Sequence, residues 1–291
     1  MAQMQNIQWF PGHMTKTKRQ MKESLRLIDA VAELVDARVP YSSRNPDLPE
    51  MVGDKPRLIL LNKCDMADPS VTAEWIKYYA SSGITALPVD CRTGTGISAF
   101  TPAVRGLIGD KLARLREKGM VGATLRVMVV GIPNCGKSSF INRLSRGSKA
   151  KVEDRPGVTR GNQWFTVAKG LELLDTPGVL WPKFDDQTVG EKLAFTGAIR
   201  DNVLDIETLA VRLIEYLTPV YTSLLDTRYK LGDTDGLEAY EVLELIGRRR
   251  GMLAGGGAVD TERAAATLLD EFRGAKLGRI SLETPDIMKG V

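Results

Sequence analysis

The stretch Gly131-Ile-Pro-Asn-Cys-Gly-Lys-Ser138 has the residue types and spacing of a loop that cradles phosphate: a glycine, four residues, then Gly-Lys-Ser. Successive backbone N–H groups of such a loop, here through Cys135 and Gly136 and on to Ser139, wrap phosphate oxygens. Lys137 is placed to reach the β and γ oxygens, and the Ser138 hydroxyl to ligate Mg2+. A chance match needs no particular surroundings. This one follows a β-branched run, Leu125 to Val130, and opens a segment, Ser138 to Leu144, that can run as a helix.

Three further stretches supply what a phosphate loop lacks. Asn62, Lys63 and Asp65 fit the Asn-Lys-x-Asp pattern of guanine recognition. The Asp65 carboxylate would accept from the guanine ring N–H and exocyclic amine. Adenine would leave that carboxylate unpaired, a difference that can discriminate on the order of 10⁴-fold. Asp90 and Cys91, ahead of Arg-Thr-Gly-Thr-Gly96, stand where a loop would flank the guanine oxygen. The usual Ser-Ala pair is replaced there, and a Gly-rich turn with no further role is the other reading. Asp175-Thr-Pro-Gly178 places an aspartate at a strand end, to hold Mg2+ through water, and a glycine whose N–H can touch the γ-phosphate. Thr159, in Arg155-Pro-Gly-Val-Thr-Arg160, is the natural second Mg2+ ligand if this polar stretch is a switch loop.

The elements that must position these residues follow from periodicity. Ala30 to Val35 and Arg57 to Leu61 read as buried parallel strands with function at their C-terminal ends. Thr72 to Ala80 reads as a helix, Ile84 to Val89 as a strand, Ile97 to Lys118 as one long basic helix, and Gln163 to Leu174 as a hairpin around Lys169-Gly170. From Asp185 onward the pattern turns helical: Ile206, Leu209, Leu213, Ile214 and Leu217 form one stripe, Leu237, Tyr240, Leu243 and Ile246 another, and Thr261 to Phe272 a last helix. The fold class is therefore α/β: residues 1–185 as a P-loop domain with a mostly parallel sheet and helices on both faces, and residues 186–291 as a small all-helical domain.

Two basic clusters stand out. Lys18, Lys22 and Arg26 recur four apart beside a stripe of Met14, Met21, Leu25 and Ile28. They are open to two readings, a solvated face or an RNA-backbone contact. In the tail, Arg248-Arg-Arg250 with Lys276 and Arg279 could form a patch, next to Gly255-Gly-Gly257. A net charge of +4 is mild, so nucleic-acid binding would have to come from such local patches. With 43% hydrophobic and 26% charged residues and no long apolar segment, the chain reads as globular, without a membrane span and cytoplasmic. Three widely spaced cysteines, Cys64, Cys91 and Cys135, suggest neither a disulfide framework nor a sequence-local zinc site.

The order of the motifs is unusual. An ordinary GTPase runs phosphate loop, switch threonine, Asp-x-x-Gly, then Asn-Lys-x-Asp; here the guanine-specifying end comes first and Asp-x-x-Gly last, so the domain is circularly permuted. The loops still meet at the C-terminal edge of one parallel sheet, so only the connections change. This order, together with Pro11-Gly-His-Met14, Asp36-Ala-Arg-Val-Pro40, Arg44-Asn-Pro46, Gly-Ile-Pro-Asn-Cys-Gly-Lys-Ser and Pro156-Gly-Val-Thr159, resembles the YlqF/RbgA family of ribosome biogenesis GTPases. The resemblance implies a Mg2+-dependent GTPase that binds GTP and GDP and acts as an assembly factor for the large ribosomal subunit, contacting its rRNA through the helical domain as a monomer. It also gives two residues roles. Val179, after Gly178, stands where many GTPases carry a water-orienting glutamine, and the family's proposed substitute maps onto His13, with Lys137 and Gly178 as further catalytic groups. Helix capping or RNA contact by His13 is the other reading. Asn134 matches the asparagine that ligates K+ beside the phosphates in related GTPases. A GTP-regulated RNA-binding scaffold whose hydrolysis is incidental is the alternative function, and a P-loop ATPase or kinase is disfavoured by Asn62 and Asp65.

Overall fold

The computed structural model describes residues 21, 23–119, 122, 124–145, 163–176, 186–199, 201 and 204–289. His13, Thr159 and Gly178, with Lys18 and Lys22 of the basic stripe, lie outside these residues. The described chain forms two compact units.

The first unit is built on a six-stranded sheet of order β3-β2-β1-β4-β6-β5. Its strands are β1 (Ala30–Asp36), β2 (Arg57–Asn62), β3 (Thr85–Val89), β4 (Leu125–Gly131), β5 (Gln163–Ala168) and β6 (Leu171–Asp175). All pairings are parallel except the β5–β6 hairpin. Every residue of β1 is buried, as expected of a strand between two parallel neighbours with both faces covered. The helices of this unit are α1 (Leu48–Val52), α2 (Pro69–Ser81), α3 (Phe100–Leu107), α4 (Gly109–Glu117) and α5 (Lys137–Leu144). Met21, Leu25 and Ile28 bury their side chains with Val31, Leu48, Val52, Met128, Val130, Trp164 and Leu174. The single long helix expected over 97–118 is instead a short 3-10 turn followed by α3 and α4. The break falls at Ile108, whose φ of −113° and ψ of 23° leave the helical region, between Gly106 and Gly109, two residues of poor helix propensity.

The second unit packs α6 (Gln187–Phe195), α7 (Ile206–Tyr229), α8 (Ala239–Arg249) and α9 (Thr261–Arg273) around Leu193, Leu213, Leu217, Leu243, Ile246, Leu268 and Phe272. Asp186, Asp205 and Asp260 cap three of these helices by accepting from the backbone N–H groups of Thr188, Thr208 and Arg263. The stripe expected through Leu237 and Tyr240 is not the buried one: these side chains are 41% and 47% exposed. Helix α8 starts only at Ala239, after the capping box of Glu238 with Glu241, and turns Val242, Leu243, Ile246 and Gly247 inward.

The domain boundary also differs from the expected division at residue 185. Met66–Asp68 belong with the helical unit because Met66 and Ala67 carbonyls accept from Ile280 N–H and Arg279 Nε, while Asp68 N–H donates to Ser281 Oγ. The tail from Glu283 belongs with the sheet unit. The Glu283 carboxylate accepts the Tyr41 and Ser42 N–H groups at 2.7 and 3.1 Å, and its carbonyl accepts the Trp75 indole N–H at 3.0 Å.

Candidate functional site

Strand register brings the motifs to one sheet edge. Asp36 pairs with Asn62, Asn62 with Val89, Leu34 with Gly131, and Val129 with Asp175, so the ends of β1, β2, β3, β4 and β6 lie side by side. This edge is where an open parallel sheet binds ligands.

The loop between β4 and α5 has the backbone shape its sequence requires. A Cβ on Gly131 would sit 2.6 Å from Cys135 Sγ and 2.8 Å from the Leu34 carbonyl oxygen, so no side chain fits there. Asn134 and Gly136 adopt left-handed φ of +60° and +97°. Gly136 is the N-cap of α5, which leaves Lys137, Ser138 and Ser139 in the first turn of the helix with its unpaired N–H groups and positive dipole end. Ser138, Ser139 and Asn134 are exposed. Lys137 Nζ lies 2.6 Å from Asp175 Oδ1 and also donates to the Thr176 carbonyl, so the phosphate-loop lysine and the aspartate of Asp-x-x-Gly stand together.

Asn62 joins the base-reading end to this loop. Its side-chain amide donates to the Cys135 carbonyl at 2.7 Å and its side-chain oxygen accepts the Cys91 N–H at 3.2 Å. A Cβ on Gly136 would meet the Asn62 amide nitrogen at 2.3 Å. Asp65 presents two unlike oxygens: Oδ2 takes Arg92 Nη2 at 3.2 Å, while Oδ1 is buried without a hydrogen-bond partner among the described residues. An unpaired buried acceptor is costly, and a donor-bearing ligand edge would relieve it. Asp90 turns into its own loop, accepting from Arg92 N–H at 2.7 Å and Thr93 Oγ1 at 2.5 Å. Its carboxylate is held below the ordinary range: burial pushes it up, but these hydrogen bonds outweigh it. Cys91 and Cys135 are buried, which pushes their thiols up to about 12 and about 11. Cys64 donates its N–H to the Val89 carbonyl.

Sequence reasoning missed two features. In the sequence Asp36 and Arg38 stand only as part of a family signature, yet the Arg38 guanidinium, with a side chain 1% exposed, clasps the Asp36 carboxylate through Nε at 2.9 Å and Nη2 at 2.8 Å. Lys63 Nζ reaches the same carboxylate at 3.0 Å. The signal was present as an acid at a strand end two residues before an arginine. Arg92, two residues before Gly94, carries no sequence signal that it faces Asp65.

The donors available to a divalent cation here are hard oxygens, the Ser138 hydroxyl and the Asp175 carboxylate, which fit Mg2+. Among the described residues no helix is long and apolar enough to cross a membrane.

Sheet order, loop geometry and motif order together define a circularly permuted P-loop GTPase domain followed by a helical unit. A family description of 50S ribosome-binding GTPases matches residues 126–228. Ribosome biogenesis GTPase A of Priestia megaterium is 49% identical over 280 residues, covering 96% of this chain and 97% of that protein. The mitochondrial ribosome-associated GTPase 1 of Bos taurus is 34% identical, covering 97% and 90%. Among solved structures, a GDP-bound YlqF superposes with a TM-score of 0.64 at 27% identity, covering 92% of this chain and all of that one. GNP-bound YlqF from T. maritima gives 0.62 at 27% identity, over 93% and 99%. The chain belongs to the YlqF/RbgA family of ribosome biogenesis GTPases.

Proposed function

We propose that this protein is a cytoplasmic GTPase that assists assembly of the large ribosomal subunit, docking on the pre-ribosomal particle in its GTP state through rRNA contacts of the helical domain. The observation that carries the reading is the Asn62 bridge: one side chain braces the phosphate loop at Cys135 and the Asp90-Cys91 loop, beside an Asp65 with an unpaired buried oxygen. That arrangement is suited to a ligand with phosphates at one end and paired N–H donors at the other, which is a guanine nucleotide and not an adenine one. Full-length similarity to proteins named ribosome biogenesis GTPase A supplies the process.

In this reading Asn62, Lys63 and Asp65 recognise the base with Asp90 and Cys91 nearby. Asn134, Cys135, Gly136, Lys137, Ser138 and Ser139 hold the phosphates. Ser138, Thr159 and Asp175 would hold Mg2+, which would supply charge neutralisation for the phosphates, and Asn134 would hold K+. Lys137 leaves Asp175 for the phosphates, and the Gly178 N–H meets the γ-phosphate. His13 orients the attacking water, since Val179 cannot. Hydrolysis is slow until the particle docks. GTP turnover with and without large-subunit particles, paired with co-sedimentation under a GTP analogue and under GDP, tests the proposal. Particle-stimulated turnover with GTP-dependent co-sedimentation is expected. Unstimulated turnover would instead favour a scaffold whose hydrolysis is incidental.

A further inference from the structure

We propose that Asp36 is a positioning residue for guanine recognition, anchoring the ammonium of Lys63 so that this lysine stands preset beside the base site. The inference rests on the nucleotide-binding reading above. Asp36 ends β1 and is the register neighbour of Asn62 at the end of β2, which places its carboxylate next to the residue that follows, Lys63. The Lys63 ammonium lies 3.0 Å from Asp36 Oδ2. Lys63 is also one of few non-glycine residues here with a left-handed backbone, at φ +59°. A side chain in that region is retained against a steric penalty only where its surroundings hold it, and such strain clusters at functional sites.

The anchor itself is fixed from three sides. Arg38 binds both carboxylate oxygens of Asp36, and its own N–H adds a third bond at 3.1 Å. The Asp36 N–H donates to Ser43 Oγ at 3.0 Å, and Ser43 Oγ in turn donates to the Val39 carbonyl at 2.6 Å, closing the turn. The next residues back, Tyr41 and Ser42, give their N–H groups to Glu283. Burial alone would push the Asp36 carboxyl up, but Arg38 and Lys63 outweigh it and hold it well below the usual carboxylate range. Asp36 is therefore held in one place, with its charge matched by Arg38 and Lys63.

The consequence for binding is preorganisation. Lys63 sits between Asn62, which braces the phosphate loop, and Asp65, which reads the base edge. A free lysine stem would surrender its rotamer freedom when a base packs against it, whereas a stem held at both ends has already done so. Releasing the anchor is expected to speed nucleotide release by on the order of tenfold, the worth of part of that freedom.

The test is a double-mutant cycle on the full chain, read as the dissociation rate of a fluorescent GDP and as melting temperature. Asp36→Asn keeps the shape and removes the anchoring charge; Lys63→Met keeps the stem and removes the anchored charge. Each is expected to release the nucleotide about tenfold faster, and the double variant no faster than either single one, because both remove the same contact. A purely structural Asp36 would instead add its effect to that of Lys63→Met, and this additivity overturns the proposal. Should Asp36→Asn fail to fold because Arg38 is left without its counter-ion, Lys63→Met decides alone, since it leaves the Arg38–Asp36 pair intact. A parental release rate in that variant overturns the proposal. Failure of the parental protein to retain fluorescent GDP at all would be the failure of the nucleotide reading, distinct from loss of coupling in a protein that binds.

Discussion

The side-chain amide of Asn62 donates to the carbonyl of Cys135 at 2.7 Å, so the first residue of the base-reading motif also braces the phosphate loop. Its oxygen meanwhile accepts the Cys91 N–H. Asn62→Ala would leave both backbone groups without partners in a buried place, at a cost of about 2–4 kcal/mol if neither finds water. Nucleotide-free protein should show this in its urea midpoint, and GTP and GDP affinity should fall together. Asn62→Asp should do no better, since it keeps the acceptor and sets a charge against the Cys135 carbonyl. An alanine variant that unfolds at the parental midpoint would remove the bridge from the account.

The unpaired Oδ1 of Asp65 makes a sharper prediction about the base. Asp65→Asn converts an acceptor into a group able to donate, which suits a base that has gained an oxygen where guanine carries an amine. Competition binding with GTP, GDP, ATP and XTP is expected to show the parental protein preferring guanine and the variant weakened for GTP but admitting XTP. ATP competing as well as GTP with the parental protein would end the guanine assignment.

The phosphate loop, the base motif and all six strands of the sheet could be read from the sequence because each is a local pattern. Gly131 and Gly136 stand where backbones approach too closely for a side chain, and the β-branched run before them is a buried strand. The Asp36–Lys63 pairing could not be read, because it exists only once β1 and β2 are known to be neighbours in register. Glu283 was less legible still, being 242 residues from its partner Tyr41, with no repeat or spacing to announce it. Leu237 and Tyr240 misled because an apolar residue at helical spacing was counted without knowing where α8 begins.

Three cysteines surround the candidate site, and their surroundings differ. Cys91 and Cys135 are buried with thiols pushed up to about 12 and about 11, whereas Cys64 is half-buried. Since the thiolate is the nucleophile, iodoacetamide at pH 8 should label Cys64 first, and labelling of the other two should rise about tenfold per pH unit toward pH 10. GTP should slow labelling at all three, because each lies in a loop assigned to the nucleotide. Peptide mapping with and without GTP measures this, and equal labelling would mean that at least one loop is misassigned.

In the proposed reading, Val179 stands in the sequence where many GTPases carry a water-orienting glutamine. If His13 orients the attacking water, His13→Ala is expected to leave GTP affinity close to parental, since that role needs no contact with a ground-state phosphate, yet to remove most of the particle-stimulated rate. A positioned group of this kind is worth on the order of 10²- to 10⁴-fold. Single-turnover hydrolysis with saturating particles and K+ decides it. A variant that binds the particle and hydrolyses at the parental rate would reassign His13 to helix capping or RNA contact.

The helical unit carries its own pH-sensitive hub. Glu271, with a side chain 8% exposed, accepts from Arg228 Nε at 2.9 Å, Tyr229 OH at 2.8 Å and Arg250 Nη2 at 2.9 Å. The Arg228 hydrogen bond, against the opposing effect of burial and with help from Tyr229 and Arg250, holds its carboxyl at about 2, below the ordinary 4.5. A depressed folded value means stability that is fully present above pH 4.5 and lost as pH falls through about 2. With Arg228 and Arg250 each about a third exposed, solvent screening limits the contribution to about 2–3 kcal/mol. Arg250 is thereby committed to a structural role, whereas Arg248 keeps a side chain 66% exposed with only a loose pairing to Glu244 at 3.9 Å. Urea midpoints followed by circular dichroism should fall between pH 4.5 and 2 in the parental protein. Glu271→Gln should be weaker at pH 7 and should converge with the parental protein as pH approaches 2. A constant gap between the two across that window would show that the carboxylate's charge is not what the two arginines hold.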